Sequence, residues 1–582
     1  MKYEKQILEA FSRLKMTPRD GQVDAVNRIV SAYLDEKADT VILSAPTGTG
    51  KSIIGAVVAE VMHTIRYPGV HKNASFLISA TNMLLEQYQD TFADPKLPLD
   101  DNFVMIKGAS NYECGALSTP EEPQTAESCS VRLFQKSGMQ DVVDKYCDSC
   151  TYQTVRKLRD KSRHLIINYA YHFVDRMYMK MLEKRTVCVF DEAHLLNDLF
   201  VEHNAIYFSE RRITSYIDEI SENLHLGHTE IFKSLRDLQK CLQIGQIDQN
   251  NYEEFLAILA DVYGQVTEAA QKEAEANLRN PSKYLKLSKM SKKYFNLGCK
   301  IGDFFDYGYP HVFEYKRQDI KNGQNDNEIS VKPIFVGAMF NTLINAEYNL
   351  LMSATISEQY AKRTLGLSGS DKVKFIKLPP AFAPENKKVV FYKPQALNYN
   401  TMKDHQTIKK LCATTYEIAN HHTTNGESGL ILCPSFSVAQ SISEVLRTMK
   451  GPYEVFEHQR GQKLADVLSS FKKYKKKPAI LVTPSGYEGM DLAGDLSRWQ
   501  IITKAPFASL GDKRMKTILD LYPDVYEIIT TMKLVQGAGR SVRSADDYAT
   551  TYMLDTAIQR MWSKSKNPWA DEFHTVQLSV LT

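Results

Sequence analysis

Two stretches with the marks of phosphate chemistry, about 140 residues apart, constrain this chain more than anything else in it: APTGTGKS, from Ala45 to Ser52, and VFDEAHLL, from Val189 to Leu196. The first follows Val41-Ile42-Leu43 and precedes the apolar, glycine-interrupted run from Ile53 to Val61, so it reads as strand, glycine loop and helix. Gly48 and Gly50 let the backbone bend, so that successive N–H groups from Thr47 through Thr49 to Gly50 face a polyphosphate, with the positive end of the helix behind them. Lys51 then falls on the β- and γ-phosphates and the Ser52 hydroxyl on Mg²⁺. Ala45 replaces the usual first glycine and keeps that position small. In the second stretch, the buried-type run Val187 to Phe190 delivers Asp191 and Glu192 at a strand end, where parallel α/β sheets place ligand groups. Asp191 suits a Mg²⁺-linked carboxylate, and Glu192 suits a group that orients or deprotonates the attacking water. Alone, an Asp-Glu pair is as easily a charged strand end. Beside a phosphate loop it completes a nucleotide site.

A chain of 582 residues exceeds one hydrophobic core and predicts two to four domains. Its net charge of +3 confines any nucleic-acid surface to local patches. No apolar run reaches membrane-span length, and the opening MKYEKQILEAF carries charge where a signal peptide needs an apolar core. The expectation is a soluble, intracellular, cytoplasmic protein, nucleoid-associated in a prokaryote or virus and nuclear in a eukaryote. Nine cysteines do not suggest a disulfide framework. Four of them, Cys114, Cys129, Cys147 and Cys150, nevertheless fall within 37 residues, where an even scatter would put about 0.6. Cys147 and Cys150 are close enough to point at one metal centre, and four thiolates fit tetrahedral Zn²⁺ or an iron–sulfur cluster. Cys188, Cys241, Cys299, Cys412 and Cys433 sit among apolar neighbours and read as core thiols.

Ile213, Ile217, Ile220 and Leu224, then Ile231, Leu235, Leu238 and Leu242, step by three and four and predict helices over 205–330. Lys283, Lys286, Lys289, Lys292 and Lys293, interleaved with Tyr284 and Tyr294, fit a single-strand-binding face or a solvated helix face equally well. Lys472 to Lys477 reads as a surface loop. Tyr112, Tyr146 and Tyr152 flank the cysteines, as duplex wedges or as packing around a metal.

Further segments make a pattern: TPRDGQ with Arg19 and Gln22, SATNMLLEQ from Ser79 to Gln87, KGASNYECG, CDSCTY and INYAYHF before DEAH, then KPIFVGAMF and SAT at Ser353 to Thr355. GLILCPSF, ILVTPSGYEGMDLAGD and QGAGRSVRS follow in the second half. Along nearly its whole length the chain resembles the XPD/DinG family of superfamily 2 iron–sulfur DNA helicases. The resemblance implies that Arg19 and Gln22 hold the adenine and that Thr81, Asn82 and Gln87 touch the nucleic-acid backbone. It makes the four clustered cysteines ligands of a [4Fe-4S] cluster. His194, Ser353 and Thr355 would couple the sites, and Glu488 and Asp491 would sit at the nucleotide cleft. Gln536, Arg540 and Arg543 would face the γ-phosphate and stabilise its charge when the cleft closes. Two departures stand out: Tyr487 where many relatives carry tryptophan, and Pro380-Ala381-Phe382 in place of a Ser-Pro-Phe-like triplet.

The expected fold is α/β, with two RecA-like parallel-sheet motor domains. The first takes 1–98, 166–204 and 331–358, interrupted by an iron–sulfur domain at 99–165 and a helical Arch domain at 205–330; the second takes 359–582. The expected function is an ATP-dependent DNA helicase of DNA repair, recombination or replication. It would use ATP, Mg²⁺ and the cluster, translocate 5′ to 3′ on single-stranded DNA and at single-strand/duplex junctions, and work as a monomer with repair or replication partners and no membrane. The alternative is an ATP-gated factor that binds or remodels RNA or RNA–DNA hybrid without processive unwinding.

Overall fold

The computed structural model describes residues 1–582 except 93–100, 119–122, 130, 132–134, 136–137, 225–229, 278–279, 321–323, 369, 488–489, 491, 493, 543–545, 564–565 and 582. Two seven-stranded sheets organise the chain. The first is ordered β10-β1-β9-β5-β2-β4-β3 and contains β1 (Thr40–Ser44), β2 (Ser75–Ser79), β3 (Phe103–Met105), β4 (His164–Asn168), β5 (Arg185–Asp191), β9 (Ala346–Ser353) and β10 (Val373–Lys377). Its pairs β3–β4, β4–β2, β2–β5 and β5–β9 are parallel. Such strands are covered on both faces, which is why β1, β2 and β5 are short, nearly unbroken apolar runs buried at every position.

The second sheet is ordered β13-β14-β12-β15-β16-β11-β17, from β11 (Lys387–Gln395), β12 (Gly429–Leu432), β13 (Glu454–Glu457), β14 (Ala479–Thr483), β15 (Trp499–Ile502), β16 (Ala549–Asp555) and β17 (His574–Leu578). All six of its pairings are parallel. Its core gathers Val390, Ile431, Ile480, Val482, Trp499, Ile501 and Leu554.

The chain divides into two compact units. One holds 1–42, 52–352 and 361–374; the other holds 43–51, 353–360 and 375–582. The phosphate-loop segment and Ser353–Tyr360 therefore group with the second half. β10 pairs at the edge of the first sheet, so that sheet takes its last strand from beyond position 358, where the sequence reading ended it. Nothing in the short run Val373–Lys377 tells which sheet it joins.

Residues 205–330 are not purely helical. The helices Glu210–Asn223, Glu230–Gln243, Tyr252–Ala276 and Pro281–Tyr307 are joined by a three-stranded antiparallel sheet, β6-β8-β7, from β6 (Ile206–Ser209), β7 (His311–Ile320) and β8 (Gln324–Pro333). The hairpin β7–β8 pairs His311 with Pro333 through Ile320 with Gln324, around Lys321-Asn322-Gly323 in the sequence. Asn-Gly between strand-forming runs is a hairpin signal that could have revealed it. On the helix Pro281–Tyr307, Tyr294 is fully buried and its hydroxyl donates to Glu219, so it belongs to the core and cannot stack on a base. Lys283 and Lys293 pair with Glu273 and Glu219. In the second basic run, Lys472 and Lys473 end the helix Leu464–Lys473 rather than lying in a loop. Of the expected core thiols, Cys188, Cys412 and Cys433 are buried, whereas Cys241 and Cys299 are half-buried.

Candidate nucleotide site

β1 runs into the phosphate loop, and the helix Lys51–Arg66 starts at the expected lysine. Gly48 (φ +94°) and Gly50 (φ +75°) occupy the left-handed region, where a side chain would be strained. The Thr49 N–H and hydroxyl both donate to the Pro46 carbonyl, at 3.3 and 2.9 Å, which closes the loop into a turn. Gly55, one turn into the helix, lies so close to Val189 and Met352 that a Cβ would stand 2.9 Å from the valine methyl; this lets the helix pack against β5 and β9. The Ala45 N–H donates to the Ser353 carbonyl at 2.9 Å, so the loop leaves its strand beside the Ser353–Thr355 segment. There Ser353 Oγ accepts from the Thr355 N–H at 3.1 Å.

Asp191 ends β5 and is buried, and Glu192 follows at φ +51°, a left-handed backbone in a non-glycine residue of the kind held at working sites. Asp191 Oδ1 accepts from the Glu192 N–H at 3.0 Å, and His194 Nδ1 lies 3.3 Å from a Glu192 carboxylate oxygen. Tyr88, from the helix Asn82–Phe92, is a residue the sequence reading missed. Its hydroxyl donates to Asp191 Oδ2 at 2.9 Å, and the Ser52 hydroxyl lies close enough to act on the phenol. Burial, and then the Asp191 charge, push the phenol well above its ordinary value, so it stays a donor. One buried phenol thus stands beside both residues expected to hold Mg²⁺. Leu85 and Tyr88 are the buried positions of their helix, and that apolar face is the only sign the sequence gives.

Gln22 is buried, and its side-chain oxygen accepts from the Arg19 N–H at 2.9 Å, forming a closed turn at the start of the helix Gln22–Leu34; Arg19 itself is exposed. Thr81 and Gln87 are exposed, and Thr81 Oγ1 accepts from the Leu84 N–H at 3.3 Å. Asn82 accepts from Asn168 at 2.8 Å and donates to Asn111 at 3.1 Å, which ties its segment to the entry of the cysteine region.

In the second half, Gln536 lies on the helix Pro523–Ala538 and donates to Thr355 Oγ1 at 2.9 Å. Arg540 donates to the Tyr487 and Met490 carbonyls at 2.8 and 3.0 Å, while the Tyr487 ring packs on Gly537. Glu488, Asp491 and Arg543 lie outside the described residues. At the carboxyl ends of β12, β14 and β15 a groove of about 440 Å³ is lined by Cys433, Tyr487, Lys504, Phe507 and Lys533 among others. Phe507 stacks on Tyr526 with ring centroids 6.0 Å apart, and the Tyr526 hydroxyl anchors the Ala508 carbonyl at 2.7 Å. None of these groove residues was singled out from the sequence as a ligand contact.

Cys114, Cys129, Cys147 and Cys150 come together within electrostatic reach of one another. Burial first, then the neighbouring thiols, push Cys114 and Cys147 above the ordinary thiol value; for Cys114, backbone N–H groups of Ala116 and Leu117 oppose the shift. Cys129 Sγ accepts from Gln153 Nε2 at 2.9 Å. Among the described residues no three such side chains meet in ready metal-holding geometry. Tyr112 and Tyr152 pack at 5.2 Å beside the cysteines, and Tyr146 is exposed. No helix among the described residues is long and apolar enough to cross a membrane.

Comparison with known proteins covers both halves. The family "Type III restriction enzyme, res subunit" matches residues 15–229, and "Helicase C-terminal domain" matches 418–570. The chain is 22% identical over 632 aligned positions to the ATP-dependent DNA helicase YoaA of Escherichia coli (strain K12), covering 93% of this chain and 92% of that protein. It is 25% identical to the ATP-dependent DNA helicase XPD of Sulfolobus acidocaldarius over 50% of this chain and 53% of that one. A solved structure titled XPD_Helicase superposes with a TM-score of 0.58 at 16% identity, over 97% of this chain and 100% of that one, and so shares the fold. By these comparisons the chain is similar along nearly its whole length to ATP-dependent DNA helicases of the XPD/DinG kind.

Proposed function

We propose that this protein is an ATP-dependent DNA helicase that moves along single-stranded DNA. The observation that carries the reading is the end-to-end likeness to a protein named an ATP-dependent DNA helicase. The grouping of Ser52, Tyr88 and Asp191 supports it. In this reading Lys51 takes the β- and γ-phosphates of ATP, while Ser52 and Asp191 hold Mg²⁺, which would neutralise charge as the γ-phosphate leaves. Glu192, steered by His194, positions the attacking water. Gln536 senses the γ-phosphate and passes its state to Thr355, and Arg540 supplies positive charge once released from the Tyr487 and Met490 carbonyls. Asn82 and its exposed neighbours Thr81 and Gln87 take one stretch of the strand. The groove with Lys504, Lys533 and the braced Phe507 suits another, by phosphate charge and base stacking.

The four clustered cysteines would hold a [4Fe-4S] cluster that braces residues 99–165. The donor set fits in kind: four cysteine sulfurs lie within electrostatic reach of one another, where burial first and then the neighbouring thiols disfavour free thiolates that a cationic metal centre would stabilise. Residues 205–330 would form the Arch, with the strand passing between it and the cysteine region. We assign 5′ to 3′ polarity, monomeric action and single-strand/duplex junctions as substrates.

Strand displacement on duplexes with a 5′ or a 3′ overhang, in DNA and in RNA, tests the reading. The expected result is ATP-dependent release from the 5′-overhang DNA substrate and none with Lys51→Ala. ATP hydrolysis without strand release would favour a nucleotide-gated clamp, and stimulation by RNA alone would overturn the choice of substrate.

A further inference from the structure

Gly48 has a second reason to be glycine. A Cβ built on it would stand 2.2 Å from Cζ of Phe382 and 2.8 Å from its Cε2, so the phenyl ring rests in the space the missing side chain leaves, against the backbone of the phosphate loop. The segment behind the ring is stiff. Pro379, Pro380 and Pro384 fix three φ angles around it. The Leu378 N–H donates to the Ser44 carbonyl at 2.9 Å, and the Lys377 ammonium holds Asp571 and the Pro568 carbonyl, each at 2.7 Å. The Lys387 ammonium lies 5.7 Å from the ring centroid and 3.6 Å from a Glu572 carboxylate oxygen, both side chains being buried. A half-buried phenylalanine could simply be filling space. What separates this one from packing is its partner, which is the backbone of a turn that has to change shape.

A phosphate loop receives its ligand by turning N–H groups onto phosphate oxygens. Here the Thr49 N–H is directed to the Pro46 carbonyl. Redirecting it rotates the peptide between Gly48 and Thr49, and the ring lying on Gly48 cannot stay where it is, because proline-braced backbone stands behind it.

Building on the nucleotide site proposed above, we infer that Phe382 is a positioning residue of that site. Its ring holds the phosphate loop in its closed turn and carries the change of shape on triphosphate binding into the segment between β10 and β11. This gives the Pro-Ala-Phe triplet, so far noted only as a departure in sequence, a task in the nucleotide cycle.

The test places 4-fluorophenylalanine at position 382 of the full chain and follows its ¹⁹F resonance as Mg²⁺-ATP or a non-hydrolysable analogue is added. The resonance is expected to shift in the otherwise native protein and to stay still when Lys51→Ala is added. In steady-state hydrolysis, Phe382→Ala is expected to raise the KM for ATP roughly tenfold with a smaller change in kcat, and Phe382→Leu to recover most of the loss. A resonance unmoved by saturating nucleotide in a protein that hydrolyses ATP would overturn the inference, as would a KM within about twofold of native in Phe382→Ala. Unimpaired hydrolysis in Lys51→Ala would instead strike the nucleotide-site reading, so the two failures are told apart.

Discussion

Phenylalanine in place of Tyr88 would keep the ring in its buried slot and delete the hydroxyl that bonds Asp191 and lies beside Ser52. Groups that orient metal ligands from behind are typically worth about 10- to 100-fold in metal affinity or activity. For Tyr88→Phe we therefore expect the Mg²⁺ concentration giving half-maximal ATP hydrolysis to rise roughly tenfold, with the melting temperature nearly unchanged. An unaltered Mg²⁺ titration would reduce Tyr88 to a packing residue. The contrast with Lys51, Ser52 and Asp191 shows what a sequence can say about a residue. Phosphate and Mg²⁺ demand particular side chains at fixed local spacing, which is what makes those three stand out as candidates. Tyr88 reaches the site across space from a helix that follows another strand, and no spacing rule carries it there. Phe382 lies still further off in sequence, 334 positions after the glycine it covers.

At the scale of elements, one buried carboxylate fastens the helix that follows the phosphate loop. Glu60, on Lys51–Arg66, accepts from Arg163 Nε and Nη2 at 2.8 and 2.9 Å, lies 3.2 Å from His164 Nε2 at the start of β4, and takes Arg13 at 3.4 Å. Burial alone would raise its pKa, but the hydrogen bonds and charges of His164 and Arg163 outweigh burial and hold the carboxyl well below the ordinary range. Its contribution is therefore present above the unfolded carboxylate pKa of about 4.3 and is lost as pH falls through the lower folded value. His164 is pushed down, chiefly by burial. Below its unfolded pKa of about 6.5 the unfolded chain takes up the proton first, so this too costs stability in acid. Thermal unfolding should show a melting temperature that falls steadily from pH 7 to pH 4. Glu60→Ala, which leaves the nearly buried Arg163 with only the Val70 and His71 carbonyls, should cost about 3 kcal/mol at neutral pH and flatten the most acidic part of the profile. A variant as stable as the native chain would show the cluster to be ornamental. None of this was visible beforehand, because a lone glutamate in an apolar helix reads as a surface position until its partners are known. By contrast, the helices between 205 and 330 repeat an apolar period along each element and were readable, whereas the β6-β8-β7 sheet is held by pairings between distant segments.

For the whole molecule, the two parallel sheets follow from a string of motifs each tied to a strand end, which is why the sequence sufficed for them. The cysteine region is different, since the spacing of four thiols fits zinc as well as iron and sulfide. Composition of the purified protein resolves it. Prepared without oxygen, the native chain is expected to be brown and to carry about four iron atoms and as many sulfides. Cys150→Ser, at a half-buried member of the group, should lose the iron, whereas Cys433→Ser, buried in the second sheet's core, should keep it. The residues proposed for the nucleotide site, Ser52, Tyr88 and Asp191, lie on other elements, so Cys150→Ser should still hydrolyse ATP while strand separation falls, the proposed brace of residues 99–165 being gone. Stoichiometric zinc in the native protein would replace the cluster with a structural zinc site. Full unwinding by an iron-free Cys150→Ser would mean that residues 99–165 hold their working shape through protein packing alone.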